Sequence, residues 1–240
     1  GGEVSDIKKV VSPVLVNDKN SSIYHIDFSF DELHLGGSAF AQSLNKIGDD
    51  VPTVKDAEYF SDAFNAIQDL INRGWIMAGH DISAGGLITT LLEMCFGNEN
   101  GGLHVNLHDI GNEDMVKILL AENPGVVIQV SDEHKVELKK YLDDSGIGYA
   151  KIAYPCKERE ITIKKNDYVH TFDIDALRET WYKTSYTLDT KQSFNGCAKK
   201  RYENYKKQPM QMKFNYSFTG KLEQYNLSAD RREMSGVKAA

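Results

Sequence analysis

The segment Gly79-His80-Asp81-Ile82-Ser83-Ala84-Gly85-Gly86-Leu87 holds the residues best placed for chemistry. It takes over at the end of the short apolar run Trp75 to Gly79, which reads as a strand, and leads into an apolar run from Leu87 to Phe96 that reads as a helix. A carboxylate at the strand end, Asp81, can hold a hard divalent cation through oxygen. The Ser83 hydroxyl can bond a phosphate oxygen or a metal-bound water. Gly85 and Gly86 let backbone N–H groups approach an anion at a helix start, where unsatisfied donors and the macrodipole favour negative charge. Polyphosphate with Mg²⁺ is the ligand class that fits. The same residues would equally serve as N-caps and a tight turn, and the segment matches neither the Walker pattern nor the dinucleotide fingerprint.

A second glycine turn, Leu35-Gly36-Gly37-Ser38-Ala39-Phe40-Ala41-Gln42, leads into another expected helix; anion binding applies there with less force, and close helix packing on small residues is the favoured account. Glu93 and the pair Glu122-Asn123 are further oxygen donors that could complete a cation's shell, or plain surface acids. Of the seven histidines only His104 and His108 stand four apart, in a stretch where no helix is read, so no helical metal-ligand pair is expected, and no nucleophile signature surrounds a cysteine. No catalytic nucleophile is expected. His80 alone stands beside a candidate site, as an acid or base or as a structural hydrogen-bonding group.

The elements that must hold these residues alternate. Val10 to Val16 and Ile23 to Phe28 read as two strands of a hairpin. Tyr59 to Ile71 carries apolar residues at helical spacing, and Arg73-Gly74 supplies its stop. Val126 to Val130 reads as a buried strand, Glu133 to Leu142 as a polar helix closed by Ser145-Gly146, and Tyr149 to Tyr154 and Glu160 to Lys164 as strands. The pattern predicts an α+β fold, a layered αβ sandwich with a mixed sheet flanked by helices, over residues 1–175. Residues 176–240 are polar, basic and aromatic, as in Lys199-Lys200-Arg201-Tyr202-Glu203-Asn204-Tyr205-Lys206-Lys207, and read as an irregular connector packing on other parts of a longer chain. The start at Gly1-Gly2-Glu3 without Met, and the close at Lys238-Ala239-Ala240, point to the same expectation of an excised piece.

Bulk composition excludes several classes. Among the 240 residues, 28 Lys and Arg stand against 35 Asp and Glu, a net charge of -7, which argues against a nucleic-acid coat. The 41% hydrophobic and 26% charged fractions are those of a chain that packs a core. Three scattered cysteines, Cys95, Cys156 and Cys197, lack zinc or disulfide spacings and fit a reducing, cytoplasmic setting. No apolar run is long enough for a membrane helix.

Three blocks in order carry a family resemblance: Leu35 to Gln42; Gly79 to Leu87 with Leu91-Leu92-Glu93-Met94; and Leu120-Ala121-Glu122-Asn123-Pro124-Gly125-Val126-Val127-Ile128-Gln129-Val130. Together they resemble the second C-terminal-type domain of the large, single-chain phosphoribosylformylglycinamidine synthase family, within the aminoimidazole ribonucleotide synthetase superfamily. Arg231-Arg232 through Ala240 is similar to the connector that leads into that family's glutaminase domain. The resemblance implies part of an ATP- and glutamine-dependent ligase converting formylglycinamide ribonucleotide to formylglycinamidine ribonucleotide in purine biosynthesis. It implies ATP or ADP with Mg²⁺ as cofactors, Asp81 as metal ligand, Ser83, Gly85 and Gly86 as nucleotide contacts, and an auxiliary, structural nucleotide site. The implied partners are ATP-binding-type domains and the glutaminase domain of the parent chain, with the isolated piece inactive. Ile82 and Ala84 depart from the Arg and Asp common in the family. A non-catalytic nucleotide-binding or scaffold module of the same superfamily is the alternative reading, as is a kinase-like relative, although the tail from Trp181 to Lys207 is foreign to the latter.

Overall fold

A computed structural model describes residues 6, 9–111, 114–206 and 221–226. The stretches Gly1 to Glu3 and Arg231 to Ala240, and Lys207, lie outside the described residues.

Seven strands form one sheet: β1 (Ser21–Asp27), β2 (Ile76–Asp81), β3 (Gly102–Asn106), β4 (Gly125–Ser131), β5 (Tyr149–Cys156), β6 (Glu160–Lys165) and β7 (Tyr168–Asp173). Their order across the sheet is β2-β4-β1-β5-β3-β6-β7. All neighbours run antiparallel except β3 and β6, which are parallel, so the sheet is mixed as the alternation predicts. Alternation along β1 sorts its side chains: Ile23 joins one core, while Tyr24 and Ile26 join the other.

Those two cores lie on the two faces. The helices α2 (Ala57–Asn72) and α5 (Lys135–Asp144) cover one, with Ala63, Ile67, Leu70, Leu138 and Leu142 buried against Tyr24, Ile26, Ile128 and Val130. On the other, α3 (Gly86–Phe96) and α4 (Met115–Leu120) pack Leu87, Leu91, Met94, Ile118 and Leu119 against Val127, Ile152 and Ile161. The α2 boundaries follow from local chemistry. The Asp56 carboxylate accepts from the Glu58 and Tyr59 N–H groups, and Gly74 takes φ +72° just past the C-cap Arg73. The shorter α1 (Ala39–Ser43) begins at Ser38, whose hydroxyl accepts from the Ala41 N–H.

Two expectations are corrected. Val10 to Val16 forms no strand. Leu15 is buried, yet its N–H donates to the Met94 carbonyl, Val16 trades hydrogen bonds with the Gln129 side-chain amide, and the Ser12 carbonyl accepts from Gly79. Apolar burial without a single partner strand produced the strand-like pattern. The connector is not irregular through its first half either: α6 (Ile174–Gln192) and α7 (Cys197–Glu203) are helices. Few aliphatic side chains hold them. Arg178, only 6% exposed, lies 4.6 Å from the Tyr182 ring centroid and 3.7 Å from that of Tyr205, and donates to the Tyr202 carbonyl. Cation–π contact and tyrosine stacking take the place of a leucine core.

Candidate functional site

Strand β2 leaves the sheet at Asp81, and the chain bends through Ser83 to Gly86 into α3. The bend is built from two consecutive glycines at positive φ, +92° at Gly85 and +70° at Gly86. Only residues without Cβ adopt this pair cheaply. Close approach adds a second constraint at Gly86, where a Cβ would lie 2.7 Å from the Ala121 carbonyl oxygen and 2.8 Å from that of Leu119. The bend therefore lets α3 start tight against the end of α4.

Asp81 and Ser83 are exposed at this bend. The Asp81 side chain is 73% exposed, with the His80 Nδ1 3.4 Å from its Oδ1. It stands at the rim of a cavity of about 400 Å³ walled by Val11, Pro13, Ile67, Ile71 and Ile128. An exposed carboxylate and hydroxyl are oxygen donors of the kind Mg²⁺ accepts beside water and phosphate oxygens, so this donor set fits that ion.

The other predicted site residues are placed differently. The Gly85 N–H donates to Glu122 Oε1 at 2.8 Å, and the Gly86 N–H to the Ser83 carbonyl at 3.0 Å. Both amides are engaged within the chain in this structure. The protein supplies its own anion: the same Glu122 oxygen accepts from the Ala39 N–H at 2.8 Å, so one carboxylate joins the two glycine turns. The sequence singles out both turns and Glu122 separately, without a signal that they meet. Asn123, buried beside it, caps the Leu33–His34 loop through the Glu32 carbonyl and the His34 N–H.

Glu93 is likewise engaged. Its Oε2 lies 3.2 Å from His80 Nε2 and its Oε1 accepts from the Trp181 indole at 2.9 Å. His80 Nδ1 faces the Asp81 carbonyl at 2.8 Å. His80 thus clamps β2, α3 and, through Glu93, α6. Ile82, where the family resemblance leads one to expect Arg, turns inward and packs against the core beneath α3. Among the described residues, the strongest ionisation shift near this helix is that of Cys95, whose thiol is pushed up to about 12 by burial despite the opposing pull of Arg159. That rules it out as a thiolate nucleophile at neutral pH.

The sheet order, helices on both faces and the bend after β2 define an α+β domain of the aminoimidazole ribonucleotide synthetase type. Residues 21–165 match the family model described as AIR synthase related protein, C-terminal domain, and the chain belongs to that family. A curated relative, the probable phosphoribosylformylglycinamidine synthase, chloroplastic/mitochondrial, of Arabidopsis thaliana, is 31% identical over 203 residues, 84% of this chain. The chain spans 14% of that relative's length. Thermotoga maritima PurL solved with ATP superposes with a TM-score of 0.55 at 13% identity, covering 71% of this chain and 27% of that one. The same protein solved with FGAR gives 0.55 at 16% identity, covering 71% and 29%. At those identities the likeness shows the fold. No helix among the described residues is long and apolar enough to cross a membrane.

Proposed function

We propose that this chain is a domain of a phosphoribosylformylglycinamidine synthase, an ATP-dependent carbon–nitrogen ligase that takes its nitrogen from glutamine and makes formylglycinamidine ribonucleotide in purine biosynthesis. Residues 1–175 are the synthetase-type domain, and 176–240 join it to a glutaminase domain of the parent chain. The observation that carries the reading is the 31% identity across 84% of the chain to a probable synthase of that name, on top of the family match. The protein works in the cytoplasm, where its three free cysteines stay reduced.

Within that enzyme the bend after β2 contributes to a Mg-nucleotide site. Asp81 holds Mg²⁺, Ser83 bonds a phosphate oxygen, and Gly85 and Gly86 shape the turn that brings phosphate to the start of α3. Bound Mg²⁺ supplies charge neutralisation for the phosphates. The Gly85 N–H reaches a phosphate once Glu122 swings off it, so Glu122 acts as the occupant that the nucleotide displaces. The remaining ligands come from other domains, which is why the isolated chain is catalytically silent.

The test is an activity comparison between the parent polypeptide and the 240-residue chain. The parent should consume ATP in the presence of formylglycinamide ribonucleotide and glutamine, and the isolated chain should not. A parent without that activity, or an isolated chain that turns over by itself, overturns the reading.

A further inference from the structure

A second cluster of donors lies far from the glycine bend, on the strands β3 and β5 and the turn into β6. In the antiparallel β3–β5 pair His104 faces Tyr154 and Gly102 faces Cys156. His104 and Cys156 are therefore diagonal neighbours on one face of the sheet, within reach of each other's side chains. The position directly opposite Cys156 carries no side chain. The turn after β5 folds over that vacant spot so closely that a Cβ on Gly102 would lie 2.0 Å from the Glu160 carbonyl oxygen and 2.8 Å from that of Glu158. Arg159 fixes the turn by donating to Asp175 at 3.0 Å and to the Cys95 carbonyl at 2.9 Å.

The result is that a ring nitrogen of His104, the Cys156 sulfur and a Glu158 carboxylate oxygen all lie within 4.8 Å of one another. The Cys156 thiol makes long contacts at 3.6 and 4.0 Å to the Glu158 and Glu160 carbonyls and also lies in hydrogen-bonding contact with the Glu158 carboxylate. His104 and Cys156 are half-buried and Glu158 is exposed.

We propose that His104, Cys156 and Glu158 form a site for a zinc-class transition metal, with the fourth position left to water. Thiolate and imidazole donors select such ions over Mg²⁺, which favours oxygen alone. The thiolate and carboxylate together neutralise a divalent cation. Imidazole, thiolate and carboxylate from two strands and a turn give a tripod with an open side at Glu158. This site is independent of the nucleotide site at Asp81 in both position and ligand chemistry.

Cobalt reports directly on the donor that matters, because a thiolate bound to Co²⁺ gives a near-ultraviolet charge-transfer band that oxygen and nitrogen ligands do not. The 240-residue chain, stripped of metal, is titrated with Co²⁺ and then with Zn²⁺. The site requires the band to appear, to saturate at a single ion per chain and to be displaced by Zn²⁺. Cys156→Ser removes the band, Cys197→Ser leaves it, and His104→Gln weakens binding by ~10-fold or more, at least the loss that even an outer partner of a metal costs. Glu158→Gln, at an exposed position that cannot unfold the sheet, weakens binding without abolishing the band. Absence of the band in the unsubstituted chain, its survival in Cys156→Ser, or unchanged affinity in Glu158→Gln overturns the proposal.

Discussion

Gly86 and Gly74 allow the structural role of the glycine bend to be isolated. Both have left-handed backbone, φ +70° and +72°, but their surroundings differ. A Cβ on Gly74 would meet nothing within 4 Å, while one on Gly86 would sit 2.7 to 2.8 Å from the backbone of Leu119, Leu120 and Ala121. Gly74→Ala therefore bears only the left-handed penalty, roughly 1–2 kcal/mol. Gly86→Ala bears that and a clash with main chain that cannot rotate away; forced overpacking costs a further ~1–3 kcal/mol. Urea unfolding followed by circular dichroism reads both variants against the parent. A shift in midpoint about twice as large for Gly86→Ala, with equal slopes, is the expected result. Equal losses in the two variants would show that α3 and α4 tolerate separation, and that the close approach at the bend is not what demands glycine there.

Three other outcomes follow from the same geometry. Glu122→Gln removes a negative charge from beside the Gly85 N–H, and should tighten Mg-ADP binding several-fold, as ~1 kcal/mol of relieved repulsion implies; weaker binding in a calorimetric titration would contradict displacement of Glu122 by phosphate. Native thiol labelling at mild alkaline pH should modify Cys197 readily, Cys156 more slowly because burial and the Glu158 charge push its thiol up, and spare Cys95, which is fully buried and whose thiol is pushed up to about 12; mass spectrometry of labelled peptides decides. Burial holds the His25 ring below its usual pKa against the opposing pull of Asp27, so protonation favours the unfolded chain. Its contribution to stability is complete above the unfolded value of 6.5 and is lost as pH falls below it, well before carboxylates such as Asp31, lowered chiefly by its Thr53 hydrogen bond, begin to protonate. His25→Gln should flatten the stability profile between about pH 6.5 and 5, and an unchanged slope in denaturant midpoints would refute it.

What could be read from residues alone was what local chemistry writes. Asp56, Arg73 and Gly74 mark α2 because caps and a positive-φ stop are short-range devices. The strand, bend and helix around Asp81 are legible for the same reason. The strands β3 and β7 leave weak traces: the first is five residues with a glycine at its head, and the second is an edge strand exposed at most positions, so neither shows an apolar pattern. The helix α6 hides because aromatic and arginine contacts hold it where aliphatic periodicity was sought. At the site, Asp81 and Ser83 stand where the pattern implies, but only the fold reveals that Glu122, 37 residues from Gly85, already caps the bend. His104 and Cys156 meet through strand pairing, which no spacing rule along one chain can register.

The central claim is that the Asp81 carboxylate and Ser83 hydroxyl grip a metal-bound phosphate chain at the glycine bend. Calorimetric titration of the 240-residue chain and its Asp81→Ala variant with ADP, each with and without Mg²⁺, tests it most directly. The account predicts weak binding that requires Mg²⁺ and is lost in the variant. Binding of equal strength in the variant, or binding indifferent to Mg²⁺, would contradict it.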